Sequence, residues 1–260
     1  MEIEAIALVW DEPARDLTGF DAIIFRSCWD YHLKQEAFLT LLDRLESDRI
    51  RVMNSPAIVR WNMNKLYLLE LEKKGVPIPK TYLVTNGTTP LPGEIEAVLG
   101  TTNAICKPVI SMSAHKTVRL NLPDPIRLSS AISESRDLGG LLVQEFIPEV
   151  IQEGEVSLLF FGGRYSHSVR KKPRQGDFRV QLEHGGSTEP FQPTQALIEQ
   201  AQEILKLTRE ELLYARVDGV ISKGRFVLME LELIDPFLFL TRQLEAARNF
   251  AHAIAARING

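Results

Sequence analysis

Two short segments near the carboxyl end limit the fold most: Arg216-Val217-Asp218-Gly219-Val220 and Phe226-Val227-Leu228-Met229-Glu230-Leu231-Glu232. In a strand, residues i and i+2 point to one face, so Glu230 and Glu232 project together while Leu231 and Leu233 turn the other way. A hairpin at Ser222-Lys223-Gly224-Arg225 brings Asp218 across from them. Three carboxylates on one face of an otherwise apolar sheet repel each other unless a cation or Arg216 offsets them. Oxygen-only ligands favour magnesium over zinc. The competing reading is an edge hairpin whose acids face water, and the apolar flanking residues argue against it.

A second constellation is cationic. Between Arg164 and Arg179 the chain carries Arg164, Arg170, Lys171, Lys172, Arg174 and Arg179 against one acid, Asp177. Taken alone this is better read as a solvated face. Together with Lys65, with Lys107 at the end of an apolar strand, and with the carboxylates, it becomes a site for a polyphosphate and its magnesium.

The rest of the chain reads as three sections. Ala5-Ile6-Ala7-Leu8-Val9-Trp10, Ala22-Ile23-Ile24-Phe25 and Arg51-Val52-Met53 are apolar runs expected as strands. The last two flank a helical pattern with Phe38, Leu41, Leu42 and Leu45 on one face. This is βαβ grammar and implies a parallel sheet, with ligands beyond its carboxyl edge at Arg26-Ser27-Cys28-Trp29-Asp30-Tyr31. Arg26 suits a substrate carboxylate and Asp30 an ammonium, with Ser27, Trp29 and Tyr31 beside them; the plainer alternative packs Trp29 and Tyr31 on the sheet and pairs Arg26 with Asp30. A helical stripe through Trp61, Leu66 and Leu69 stops at Gly75. A buried strand over 101–107 follows, then the polar turn Ser111-Met112-Ser113-Ala114-His115-Lys116 and a helix-poor return through Asp124-Pro125. Antiparallel strands are expected over 156–161, 165–171 and 178–182, a helix over about 194–213, the hairpin, and a terminal helix to Ile258.

Composition narrows the class. With 260 residues, 45% hydrophobic and 25% charged, the chain has globular makeup and room for two or three compact units. A net charge of -4 and a pI near 5.8 argue against nucleic acid as the main partner. No run approaches the ~18 apolar residues of a membrane span, and Met1-Glu2-Ile3-Glu4 lacks the basic start of a secretory signal, so a cytoplasmic protein without a membrane partner is expected. Cys28 and Cys106 fit neither a disulfide framework nor a zinc spacing and are expected as reduced core residues. Assembly is not readable, a homodimer being the commonest arrangement for a soluble oligomer.

Taken in order, these segments resemble the ATP-grasp superfamily. They are Asn64-Lys65 before a helix ending in Gly75-Val76-Pro77-Ile78-Pro79-Lys80-Thr81; Cys106-Lys107-Pro108; Gln144-Glu145-Phe146-Ile147-Pro148; Gly154-Glu155; Gly176-Asp177-Phe178-Arg179 with Gly185-Gly186; and the Asp, Glu, Glu set. Each piece is weak alone, but six in the family's order are hard to obtain by accident. The wording is similar to the glutathione synthetase and RimK-like ligases. Within these it resembles the D-cycloserine synthetase-like group, which shares Arg-Ser-x-Trp-Asp-Tyr and Asp-Phe-Arg-Val-Gln.

The resemblance implies an α/β ATP-grasp fold whose two α+β lobes, 58–143 and 144–260, enclose the nucleotide, preceded by a shortened Rossmann-like domain over 1–57. It assigns nucleotide contacts to Lys65, Lys107, Gln144, Glu145, Phe146, Ile147 and Glu155, with Glu155 at the ribose. Arg170 and Arg179 would meet the γ-phosphate and the acyl phosphate, Arg216 would assist, and Asp218, Glu230 and Glu232 would hold Mg2+, with Mn2+ as a substitute. The implied activity is ATP-dependent activation of a small amino-acid-like carboxylate as an acyl phosphate, attacked by an amine. Intramolecular ring closure, a degenerate nucleotide binder and transfer to a hydroxyl are alternatives. Two departures stand out: Glu232 replaces the asparagine of many relatives, and the first domain lacks a strand and helix, through a displaced start, a cut chain or a loss. The loop at 111–117 is the expected lid.

Overall fold

The computed structural model describes residues 3–12 and 16–259. Met1, Glu2 and Gly260, at the ends of the expected first and third units, lie outside the described residues, as do residues 13–15.

The first unit is small. β1 (Ile23–Ile24) and β2 (Val52–Met53) pair in parallel and are joined through α1 (Gln35–Ser47), so the βαβ expectation holds. Phe38, Leu42 and Leu45 bury one face of α1 against Phe25, Val59, Met63 and Ile234. That cluster ties the unit to the rest of the molecule and sets the position of the 26–31 loop. Residues 5–10 do not form the expected strand. Their backbone pairs with no neighbouring strand, Ile6 and Val9 are exposed, and Trp10 is instead held by its indole, which donates to Asp30 Oδ1 at 2.8 Å and meets Phe38 edge-on.

The second unit begins with two helices, α2 (Pro56–Met63) and α3 (Tyr67–Lys73), where the apolar stripe suggested one. Asn64 is extended, and the chain breaks there to turn Lys65 inward. Next come β3 (Thr81–Val84), α4 (Pro92–Leu99), β4 (Asn103–Pro108), β5 (Val118–Asn121), α5 (Pro125–Glu134) and β6 (Leu141–Glu145). The return through Asp124-Pro125 is thus a helix start and not helix-poor: Asp124 accepts from the Arg127 amide and Pro125 occupies the first turn, where its missing N–H costs nothing. The sheet runs β3-β6-β4-β5, all antiparallel. Ala104, Cys106, Leu141 and Val143 face the core with Ile95, Leu99 and Leu128 of the helices, which leaves Ile105, Lys107 and Gln144 on the opposite face. The boundary expected between 143 and 144 falls inside β6.

The third unit comprises α6 (Glu149–Gln152), β7 (Glu155–Phe161), β8 (Arg164–Lys172), β9 (Ser187–Pro190), α7 (Gln195–Lys206), β10 (Tyr214–Ser222), β11 (Arg225–Glu232) and α8 (Ala246–Asn259). Its sheet runs β11-β10-β7-β8-β9. Val156, Leu158, Phe160, Val217 and Leu231 pack on Leu197, Ala201 and Ile204 of α7; on the other face Leu159, Phe161 and Tyr214 pack against α8, and the remainder of that face carries polar groups. The strand expected at 178–182 is absent, because the Asp177 carboxylate takes the Phe178 and Arg179 amides that a ladder would need. The helix expected to reach Leu213 stops at Lys206, and Arg209 just beyond takes a left-handed φ of 57°. Among the described residues no helix is long and apolar enough to cross a membrane. Cys28 and Cys106 are buried and free.

Candidate active site

The polar faces of the two larger sheets enclose a cavity of about 430 Å³, within the ~300–1,000 Å³ of ligand pockets. Its floor is the hairpin. Asp218 pairs in register with Glu230, and Arg216 with Glu232. The register slips between Asp218 and Gly219, leaving Met229 as the extra residue of a β-bulge. The bulge lets Met229 and Glu230 both line the cavity, and the Met229 carbonyl accepts from Lys107 Nζ at 3.4 Å. Gly219 is required there: a Cβ would lie 2.4 Å from the Phe226 ring and 2.6 Å from the Val227 carbonyl oxygen.

β11 is an edge strand, and side chains of the second unit close its open edge. Tyr67 Oη accepts from the Leu231 amide at 2.8 Å and donates to the Leu231 carbonyl at 3.0 Å. Asn62 donates to the same carbonyl at 2.7 Å and accepts from the Leu233 amide at 2.8 Å. Asn54 donates to the Tyr214 and Leu233 carbonyls. These bonds fix the strand from which Glu230 and Glu232 project.

Cations interleave with the acids. Lys65 Nζ lies 2.9 Å from Glu230 and also bonds the Ser111 carbonyl. Lys171 lies 2.6 Å from Glu155 and 2.8 Å from Asp218, and Arg216 pairs with both Asp218 and Glu232. Burial raises the Asp218 carboxyl, but Arg216 and Lys171 outweigh it and hold the group well below the carboxylate range. Burial likewise opposes ionisation of Glu230, and Lys65 and Lys107 overcome it. Glu232 goes the other way: burial, reinforced by Asp218 and Glu230, pushes it up to about 8 despite Arg216. Burial brings Lys107 down to about 8.

Every expected nucleotide residue lines this one cavity: Lys65, Lys107, Gln144, Glu145, Phe146, Ile147 and Glu155. Glu145 Oε1 accepts from the Lys80 amide at 2.9 Å, and the Arg119 guanidinium stacks on Phe146 at 3.7 Å. Glu155, expected at a ribose, is ion-paired to Lys171. Arg179 lines the cavity and pairs with Asp177 at 2.8 Å, and Arg216 lines it as well. Arg170 does not. Successive residues of β8 face opposite ways, so Lys171 enters the cavity while Arg170 stacks 4.6 Å above Phe191 on the other side.

The 26–31 loop divides in the same manner. Trp29 and Tyr31 line the cavity, with Tyr31 also stacked on Phe38. Arg26, Ser27 and Asp30 are not among the lining residues. Arg26 donates to the Pro236 carbonyl at 2.8 Å, Ser27 is a left-handed turn residue, and Asp30 binds Trp10 and Lys34. Nor does Arg26 pair with Asp30. Sequence reasoning placed Lys171 in the cationic constellation but gave the site role to its neighbour Arg170, where strand alternation could have separated the two. It missed Asn62 and Asp235, for which no local pattern exists.

Residues 64–237 match the family of the prokaryotic glutathione synthetase ATP-grasp domain. The chain belongs to the ATP-grasp family. Residues 1–54 match the N-terminal domain of D-cycloserine synthetase DcsG. The cycloserine biosynthesis protein DcsG of Streptomyces lavendulae is 28% identical over 267 residues, covering 96% of this chain and 87% of that protein. A crystal structure of D-cycloserine synthetase DcsG superposes with a TM-score of 0.84 at 27% identity, covering 96% of this chain and 88% of the other. D-alanine–D-alanine ligase from Bacillus anthracis, solved in complex with ATP, shares the fold at a TM-score of 0.62 and 17% identity over 84% of this chain and 74% of its own. The chain spans about half the length of several glutathione synthetases it matches. It is an ATP-grasp enzyme of the carboxylate–amine ligase class.

The family implies a divalent metal. Among the described residues no three His, Cys, Asp or Glu side chains are gathered for a metal as they stand, since Lys65, Lys171 and Arg216 occupy the carboxylates. The donor set nevertheless fits a hard cation: it is oxygen-only, and Glu232, raised by burial and further by Asp218 and Glu230, is a group whose charge a divalent ion would stabilise.

Proposed function

We propose that the chain activates the carboxylate of a small amino-acid-like substrate as an acyl phosphate, which an amine then converts to an amide, with ADP and phosphate released. The observation that carries this reading is the meeting, in one cavity, of Lys65 and Lys107 with the row Asp218, Glu230 and Glu232. Polyphosphate with magnesium demands both signs of charge at close quarters.

The connector 144–147 offers backbone groups to an adenine edge, beside the apolar Phe146 and Ile147. Lys65 and Lys107 offset phosphate charge, and an anion beside Lys107 opposes the lowering that burial imposes on it. Asp218, Glu230 and Glu232 would hold magnesium, which supplies charge neutralisation on the transferring phosphoryl group. Lys171 and Arg216 keep Asp218 ionised for that purpose. Arg179, at the cavity rim on a loop, is positioned to meet an acyl phosphate. No protein nucleophile is required. Closure by the 111–117 loop would exclude water from an intermediate that water destroys.

One observation favours a particular form of the reaction. The match of residues 1–54 to the N-terminal domain of D-cycloserine synthetase supports ring closure, in which carboxylate and attacking nitrogen belong to one molecule. The test is ADP release from magnesium-ATP in the presence of amino-acid pools. Release that needs a single amino-acid derivative and no second amine supports ring closure; release that needs an acceptor supports intermolecular ligation. Glu230→Gln should lower turnover at least a hundredfold while still unfolding in one cooperative transition. Normal ADP release by that variant would sink the metal assignment.

A further inference from the structure

One carboxylate in the cavity is short of hydrogen-bond donors. Asp235 follows β11 by three residues, is 1% exposed and lines the cavity. Neither carboxylate oxygen has a hydrogen-bond partner of good geometry. The Cys28 amide offers a hydrogen bond of poor geometry, and the Arg26 guanidinium, which favours the charge, directs its Nη1 to the Pro236 carbonyl. Arg216 also favours its charge but is already engaged by Asp218 and Glu232. Burial pushes the Asp235 carboxyl up to about 7. A buried carboxylate whose oxygens lack well-placed donors is costly, and an ammonium group that donates to it offsets that cost.

The neighbouring wall is suited to the same guest. Tyr31 lies close enough for its phenol to be raised by Asp235, and Phe237 and Phe239, in an edge-to-face pair with ring centroids 4.9 Å apart, also line the cavity. Aromatic faces attract ammonium groups. A metal ion is the poorer candidate, because a hard cation wants several oxygens and Asp235 stands among rings and arginines. Asp30, the acid of the 26–31 loop, is taken up by Trp10 and Lys34.

We propose that Asp235, walled by Tyr31, Phe237 and Phe239, receives the primary ammonium group of the substrate. The assignment rests on the ligase reading of the cavity and places the amino end of the substrate between the first unit and the carboxylate row.

The test is calorimetric binding to protein saturated with magnesium-ADP, using the common L-amino acids, their D forms and the corresponding 2-hydroxy acids as probes. At least one amino acid should bind, and its hydroxy acid at least tenfold more weakly. Asp235→Asn, shown by a cooperative melt to fold, should lose that affinity tenfold or more, whereas Asp30→Asn should keep it. Hydroxy acids that bind equally well, unchanged affinity in Asp235→Asn, or no amino acid binding to magnesium-ADP-loaded protein would each overturn the assignment. Failure of wild-type protein to bind magnesium-ADP would remove the ligase reading itself, and this assignment with it.

Discussion

Along β8 the side chains alternate, so Lys171 and Arg170 meet different surroundings though they adjoin in sequence. Lys171 is enclosed with Glu155 and Asp218, whereas Arg170 lies on a ring at the opposite face. Breaking a buried pair by removing one partner costs about 3–5 kcal/mol, because the other charge is left behind. A stacked cation at a partly exposed site is worth about 0.5–1 kcal/mol. Lys171→Met should therefore lower unfolding free energy several times more than Arg170→Met in urea titrations; equal losses would show the two faces to be wrongly assigned. Glu232 supplies a pH signature. An ordinary glutamate titrates at 4.5, and this one titrates at about 8 in the folded chain. Between those values the folded state keeps a proton that the unfolded chain has released. The contribution is thus fully present below 4.5 and lost as pH rises to about 8. Asp235, at about 7, shares the lower part of this window. Glu232→Gln should flatten the fall in melting temperature between pH values of about 4.5 and 8, including the stretch above about 7 that Asp235 does not share. A fall of unchanged slope in the variant would refute the shift.

Elements show why part of the site could be read from sequence and part could not. Glu230 and Glu232 were legible because strand period alone places them together, and Lys65, Lys107 and 144–147 because they sit in recognisable segments. The strand expected at 178–182 failed because an alternating pattern says nothing about Asp177, whose carboxylate captures the amides. What holds β11 was not legible at all. Asn62 and Tyr67 reach Leu231 across 169 and 164 residues of sequence, and they serve backbone groups, which leave no trace in side-chain pattern. Tyr67→Phe makes the point measurable. It keeps the ring but deprives the Leu231 amide of its acceptor, and an unsatisfied buried group costs about 1–3 kcal/mol. Thermal and urea unfolding should show that loss. ATP affinity should fall too, since Glu230 and Glu232 ride on the loosened edge. A variant as stable as the wild type would mean that water or a shifted strand replaces the hydroxyl.

Across the whole molecule, closure depends on contacts between units that share no strand. The 111–117 loop lines the cavity from the second unit and meets residues 183–184 of the third. Ser113 Oγ donates to Glu183 at 3.5 Å, and His184 Nε2 lies 3.2 Å from the Ser113 carbonyl oxygen. On its other side His115 stands edge-on to His32 of the first unit, with centroids 5.2 Å apart. Ser113, Ala114 and Lys116 all take left-handed φ values, an unfavourable state for residues with a Cβ that tertiary contacts must hold in place. Lys65 and Lys116 anchor the ends of the loop, so cutting the Glu183 and His184 contacts should loosen its middle. The contacts are long, so together they contribute about 0.5–1.5 kcal/mol, equivalent to roughly two- to tenfold in a rate. Combining Glu183→Ala with His184→Ala should accelerate release of a fluorescent ADP analogue by that factor in stopped flow. On the proposed mechanism it should also raise ADP formed per amide formed, because water would reach the acyl phosphate through the opened mouth. Unchanged release and unchanged coupling would show that these loops merely touch, and that exclusion of water rests with the aromatic wall of Tyr31, Phe237 and Phe239 instead.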